Sequence, residues 1–475
     1  MGQFIDAQRN QRLLLPPSID EVVAQDHPVR LFDEVIGQME PTLFRSGYNN
    51  TETGRPAYEP MILLRIMLWG YLQGERSSRK IARACGENLV YIYLAGSYRP
   101  DFRTLCLFRK RNGVLFEAAL KEIIKIGKKL SLSSFAHVNI DGTKIRADAS
   151  FGAQCTEEQL QKRAEELAKA IMREAEEADA TEDKDYGESD GYAHLPKTLS
   201  GKKERLRRIE EAKKELRKAP DAQTANETDP ESRYVKDIRG CGYNAQAVVD
   251  SESRLITAEG VTNNLSDNAQ LVPQIEKHKE NTGAESGTAA ADAGYTGGKN
   301  LRDCTERRYE PYIPQGENID TKRQKRETRY FAREDFTYEE GSDAYRCPAG
   351  KLLKFHHNKV KDRATGEVKI KVYKCSECTG CEVKRRCTDS RTGRELHISE
   401  YDKELRAVRE RLGTVEGKKR YAKRKSTVET VFGYIKRILG FRRFSLRGLV
   451  GARTEWSLVC LVYDIRRMMT LFAGG

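Results

Sequence analysis

Near Ser134 the apolar residues change their period, and that change limits what the chain can fold into. Before it the pattern is helical. EPMILLRIMLWGYLQG is apolar nearly all round, as a helix buried inside its own domain must be. SSRKIARACG, ENLVYIYLAG and PDFRTLCLFRKRNGVLFEAALKEIIKIGKK read as three further helices. Ser77 or Ser78 is placed to cap the first of these, and Pro100 with Asp101 marks the entry to the last. After the change, Ala136, Val138 and Ile140 alternate with His137 and Asn139, a strand expected to end at Asp141.

The rest of the chain follows the same logic. From about 155 to 220 it is rich in Glu, Lys, Arg and Ala, and two helices with i,i+4 charge pairs are expected there, joined by a polar loop. Strand character returns in YNAQAVVDSESRLITAEGVTN, where Asn244 and Gln246 alternate with alanines before a turn at DSES. NLSDNAQLVPQIEKHKEN then reads as a helix and GTAAADAGYTG as a short buried strand. From 305 to 398 the chain is basic, turn-rich and cysteine-bearing, and beyond it is helical. The order predicts a helical domain over 1–130 and an α/β core from 131–304 and 399–475. Two insertions interrupt that core, one charged and helical, the other Cys-rich and β-containing.

A net charge of +13 over 475 residues, with a pI near 9.1, favours a polyanionic partner. No run of about 18 apolar residues is present to span a membrane. The opening MGQFIDAQRNQRLLLPPSID has no basic n-region and apolar core of a secretory leader. The cysteine count is 11, and five crowd between Cys347 and Cys387, which suits a reducing cytoplasm and a metal site better than a disulfide framework. Cys-x₂-Cys spacing admits a tetrahedral Zn²⁺, with Cys375, Cys378, Cys381 and Cys387 one ligand set and His356 or His357 an alternative ligand. The helical N-terminal stretch, ending in a helix with Arg103, Arg109, Lys110 and Arg111, has the order of a helix-turn-helix DNA reader.

Three carboxylates stand out. Asp141 closes an apolar run in HVNIDGTKIRAD, although Asp-Gly is equally a tight-turn dipeptide. Asp292 sits among small residues in TAAADAGYTGG, where a cap on a following helix is the local alternative. Glu429 lies on an amphipathic helix with Lys436 seven residues on, about 10 Å away on nearly the same bearing, and Gly433 between them. Helix stabilisation gains little from that spacing, whereas a carboxylate for a metal and a lysine for a phosphate would use it.

These segments resemble the DDE transposases of bacterial insertion sequences, and KRKSTVETVFGYIKRILGF is similar to their Tyr–Arg–Glu–Lys signature. Glu429 and Lys436 keep the signature's spacing, while Tyr421 and Arg424 each stand one residue further from Glu429, with Ala422 and Lys425 in the usual places. The resemblance implies a ribonuclease-H-like mixed sheet with flanking helices, in which Asp141, Asp292 and Glu429 hold two Mg²⁺ ions, Mn²⁺ substituting. It implies Lys436, Arg424, Lys425 and Tyr421 at DNA phosphates, and Cys347, Cys378, Cys381 and Cys387 as the zinc ligands, with Cys375 spare. Arg109 and Arg111 are further expected DNA contacts. The expected activity is cleavage of double-stranded DNA at element ends and joining to a target, by a homodimer in a synaptic complex. A DNA-binding protein without catalysis and a nuclease acting on RNA–DNA hybrids are the alternatives.

Overall fold

The structure is a computed structural model that describes residues 18–40, 42–45, 57–186, 197–218, 222–315, 331–363 and 366–473. It divides into two compact units: Met1–Ile126 with Arg437–Phe441 and Ser457–Gly475, and Gly127–Lys436 with Arg442–Trp456.

The first unit is helical. Its helices include α1 (Pro28–Gly37), α2 (Pro60–Leu72), α3 (Ser78–Glu87), α4 (Leu89–Ala95) and α5 (Phe102–Arg111). Most of α2 is buried, including Leu63, Leu64, Ile66 and Trp69, which accounts for its all-round apolar character. Gly70 lets α3 approach closely, since a Cβ there would lie 2.7 Å from Ile81 Cδ1. Ser77 caps α3 and Asp101 caps α5, each accepting a backbone N–H bond. The single long helix expected after Pro100 is two: α5 ends at Asn112, whose side chain donates to the Phe108 carbonyl at 2.7 Å, and α6 (Gly113–Lys129) follows. Arg109, expected on a DNA-facing surface, is instead 8% exposed, its guanidinium donating to the Tyr71 hydroxyl (3.1 Å) and the Arg76 carbonyl (3.0 Å). It is a core residue of α5, whose exposed cations are Arg103, Lys110 and Arg111.

The second unit contains a six-stranded mixed sheet: β1 (His137–Arg146), β2 (Arg233–Val235), β3 (Gly240–Asp250), β4 (Ile256–Thr262), β5 (Gly287–Ala291) and β6 (Tyr309–Tyr312). The path runs β2–β3–β1–β5–β6, and β4 also pairs with β3. β1, β5 and β6 are parallel; β3 is antiparallel to β1, β2 and β4. One face packs Val138, Ile140, Val248, Ala289 and Ala291 against α9 (Leu271–Thr282), α10 (Gly298–Glu306) and α11 (Asp402–Gly413). Earlier in the chain, α7 (Glu157–Tyr186) and α8 (Lys197–Lys218) bury Leu160, Ala164, Ile209 and Ala212 between them. The polar loop expected there is shorter, because α7 runs on to Tyr186; its remaining part, 187–196, lies outside the described residues.

β1 does not stop at Asp141. Its antiparallel ladder with β3 runs from Val138↔Asp250 to Arg146↔Gly242, with Asp141 opposite Ala247, so the Asp-Gly pair is mid-strand and forms no turn. A second sheet follows as an antiparallel meander of β7 (Thr337–Glu339), β8 (Ala344–Arg346), β9 (Leu352–Arg363), β10 (Gly366–Lys374) and β11 (Glu395–Ser399). After α11 come α12 (Val415–Arg424), a π turn over Lys425–Glu429, α13 (Thr430–Arg437) and α14 (Gly448–Ala473). Among the described residues no helix is long and apolar enough to cross a membrane.

Ile140 is fully buried between β3 and β5. Ile140→Ala is expected to lower unfolding free energy by about 2–5 kcal/mol in urea titration; an unchanged midpoint would contradict its place in this core.

Candidate active site

Strand alternation puts His137, Asn139 and Asp141 on the face of β1 opposite Val138 and Ile140, and α12 lies against that face. Ile140 pairs with Ala291 across the parallel β1–β5 ladder, so Asp141 and Asp292 are the next residues along adjacent strands. Asp292 leaves the end of β5 and accepts the Gly294 N–H at 2.8 Å, capping a single 3₁₀ turn rather than the later helix. Small side chains at Ala289, Ala290 and Ala291 fit the tightly packed strand that leads to it.

Arg424, the last residue of α12, joins these carboxylates. Its Nη1 donates to Asp141 Oδ2 at 2.9 Å, and its Nη2 lies 4.0 Å from Glu429 Oε1. The Arg424 side chain is only 8% exposed and Asp141 16%, while Glu429 is 56% exposed. Burial pushes the Asp141 carboxyl up to about 6, against the opposing pull of Arg424 and of the Gly142 N–H; Asp292 and Asp267 add to the rise. Desolvation, rather than the neighbouring carboxylates, is the largest cause of that rise.

Asp267 was not singled out from the sequence. Its Oδ1 accepts from Asn244 Nδ2 (2.7 Å), Gln246 Nε2 (2.8 Å) and Lys144 Nζ (3.3 Å), and the Tyr295 hydroxyl donates to Gln246 Oε1. The signal available was the alternation of Asn244 and Gln246 with alanines, since a strand with polar side chains buried on one face must satisfy them there. Gly142 completes the arrangement: a Cβ would lie 2.4 Å from Gln246 Nε2 and 2.6 Å from Asp267 Oδ1.

Lys436 is half-buried on α13, its Nζ donating to the Lys144 carbonyl at 3.4 Å; burial first, then Arg442, holds its pKa below the usual lysine range. Nothing stands within 4 Å of a Cβ at Gly433, so the helix face between Glu429 and Lys436 is open. Lys425 is exposed, and the Arg424 Cζ lies over the Tyr421 ring, 5.8 Å from its centroid. Along the same face of β1 lies a polar cavity of about 240 Å³, lined by His137, Asn139, Thr288, Lys419, Arg420 and Lys423 among others.

The five cysteines between Cys347 and Cys387 line one small apolar cavity at the edge of the second sheet, Cys375 with the other four. Cys347 Sγ accepts the Lys351 N–H at 3.3 Å and Cys378 Sγ the Arg394 N–H at 3.4 Å. Gly350 and Gly380, each in the left-handed region, close the turns after Cys347 and Cys378. Burial and the neighbouring cysteines push Cys387 up to about 11. His356 and His357 are exposed on β9 and do not line this cavity, so the histidine-ligand alternative has no support from their positions. Among the described residues no three His, Cys, Asp or Glu side chains are gathered in a metal-holding arrangement, here or at Asp141. The donor chemistry nonetheless fits at both places: carboxylates for a hard cation, clustered sulfurs accepting peptide N–H bonds for a soft one.

The Asp141 carboxyl is destabilised in the folded protein, so its cost is present above pH 6 and disappears below its unfolded value near 4. In chelator at pH 8, Asp141→Asn is expected to melt above the parent chain, by up to about 3 kcal/mol in unfolding free energy. The gain should vanish as pH falls to 4; a variant less stable at pH 8 would contradict this electrostatic account.

Residues 346–469 match a family model described as a transposase DDE domain, and residues 17–111 match a transposase domain (DUF772). Glu429, Lys436 and all five clustered cysteines fall inside the first match; Asp141 and Asp292 lie outside both. Among solved structures, the chain is similar to a piggyBac transposase in a synaptic complex with hairpin DNA, at 9% identity and a TM-score of 0.34, covering 94% of this chain and 75% of that one. No curated protein matches it.

Proposed function

The two family matches mark the chain as a DDE-type transposase of the insertion-sequence kind, an enzyme of polynucleotidyl transfer, and on that premise we propose that Asp141, Asp292 and Glu429 form its catalytic centre. The observation that carries the reading is the convergence on Arg424: Asp141 bonded to it, Glu429 4.0 Å from it, and Asp292 adjacent to Asp141 across the β1–β5 ladder. The strand path, with β1, β5 and β6 parallel and β3 antiparallel, supports a ribonuclease-H-like core.

The three carboxylates would hold two Mg²⁺ ions, Mn²⁺ substituting, which supply activation of the attacking oxygen and stabilisation of the departing 3′ oxygen. The chain's own groups bind and orient the DNA. Lys436, Lys425 and Tyr421 stand on the elements that carry Glu429, and Lys419, Arg420 and Lys423 form a basic row beside the polar cavity. Arg111 offers an exposed cation on the helical unit. The substrate is double-stranded DNA at the element ends, then the target, with a homodimer pairing two ends in the bacterial cytoplasm. Cys347, Cys378, Cys381 and Cys387 would hold a structural Zn²⁺, with Cys375 lining the same cavity as the alternative ligand.

A binder without catalysis would have no use for these carboxylates, and a hybrid-specific nuclease would not need the long helical N-terminal stretch and the basic insertions. With labelled end DNA and Mg²⁺, Asp141→Ala, Asp292→Ala and Glu429→Ala are each expected to lose at least about 10³-fold in cleavage while retaining DNA binding. Cleavage that survives all three substitutions would overturn the assignment. For the second sheet, about one zinc per chain is expected by elemental analysis of the purified protein, falling toward zero in Cys378→Ser/Cys381→Ser. Metal-free wild-type protein would refute that part.

A further inference from the structure

Arg424 and Glu429 are five residues apart, a separation that an α-helix turns through about 500°, leaving their side chains about 140° apart. Yet Arg424 lies 4.0 Å from Glu429 while bonding Asp141 at 2.9 Å. The intervening residues explain this. Lys425–Glu429 form one π turn between the α-helical segments α12 and α13. A π turn takes up one residue more than an α turn, so the bearing from Arg424 to Glu429 becomes that of an α-helical i,i+4 pair, about 40°. The same shift brings Tyr421 to within about 20° of Glu429's bearing, as an i,i+7 pair. Thr427 and Val428 remain buried at 3% and 0%, while Lys425 and Ser426 are exposed, so the surplus residue is carried on the solvent side.

We infer that the π turn is a register device: it absorbs one extra residue so that Arg424, not its neighbour Lys425, is the cation that positions Asp141 and Glu429. Arg424 acts on carboxylates rather than on DNA phosphate. Its surroundings fit that role. It is nearly buried, its Nη1 is bonded to Asp141, and its Cζ lies 5.8 Å from the Tyr421 ring centroid, whereas Lys425 points into solvent with no acidic partner among the described residues. A buried guanidinium already bonded to a carboxylate is poorly placed to track a DNA backbone and well placed to fix two oxygens. Arg424 is thus a positioning residue. The inference rests on the metal-dependent cleavage proposed above only for its activity readout.

The experiment compares Arg424→Gln, Arg424→Lys, Lys425→Gln and a deletion of Ser426 in the full chain. Deleting Ser426 makes the spacing four, so an uninterrupted α-helix should hold Arg424 on Asp141. The deletion variant is expected to keep cleavage within about threefold and to keep its melting temperature. Arg424→Gln should lose on the order of 10–100-fold in cleavage and shift the Mg²⁺ concentration for half-maximal rate, with partial rescue in Arg424→Lys. Lys425→Gln, at a proposed DNA contact, should reduce the salt slope of DNA binding by about 1 and leave the Mg²⁺ concentration for half-maximal rate unchanged. The salt dependence of DNA binding separates the two roles: Arg424→Gln should leave its slope unaltered, whereas loss of a phosphate contact would reduce it by about 1. A folded but inactive deletion variant, a Lys425→Gln shift in the Mg²⁺ requirement equal to that of Arg424→Gln, or a reduced slope in Arg424→Gln would each overturn the inference. If the parent chain cleaves nothing, the proposed function fails, and melting temperatures and salt slopes still decide the register.

Discussion

A nearly buried ion pair, Arg424 with Asp141, ties the central strand of the mixed sheet to the helical segment that follows the second sheet. About 280 residues separate the partners, so the contact exists only once β1, its antiparallel neighbour β3 and α12 are all in place. At 2.9 Å and an effective dielectric near 20, such a pair attracts by several kcal/mol, yet burial still drives the Asp141 carboxyl upward. Desolvation thus outweighs the attraction of Arg424 at this carboxyl. Further positive charge beside such a carboxyl favours its ionised form.

Around this pair the chain uses each element for position. The parallel ladder sets Asp292 beside Asp141, and the run of alanines lets β5 sit close enough for this. Asn244, Gln246, Lys144 and Asp267 form a floor of satisfied polar groups that excludes a side chain at position 142. The π turn then sets the angle at which Glu429 leaves the helix.

Much of the architecture was legible in residue pattern. The period change near Ser134, the alternation along β3 and the small-residue strand before Asp292 all mark real elements. What was hidden depended on partners far away in sequence. Asp141–Gly142 reads locally as a turn, and only pairing with β3 makes it mid-strand. Arg109 reads as a surface cation until Tyr71 and the Arg76 carbonyl are found against it. Asp267 lies in an ordinary-looking polar stretch, and its importance comes from three donors on other segments. The surplus residue before Glu429 was visible as a spacing, but whether the helix would absorb it or rotate Arg424 away was not.

The central claim is that Asp141, Asp292 and Glu429 share divalent cations. Anomalous diffraction from crystals of the full chain grown with end DNA and Mn²⁺ tests it most directly. The account predicts manganese peaks bounded by these three carboxylates. Manganese bound elsewhere, with Asp141 still held by Arg424 alone, would contradict it.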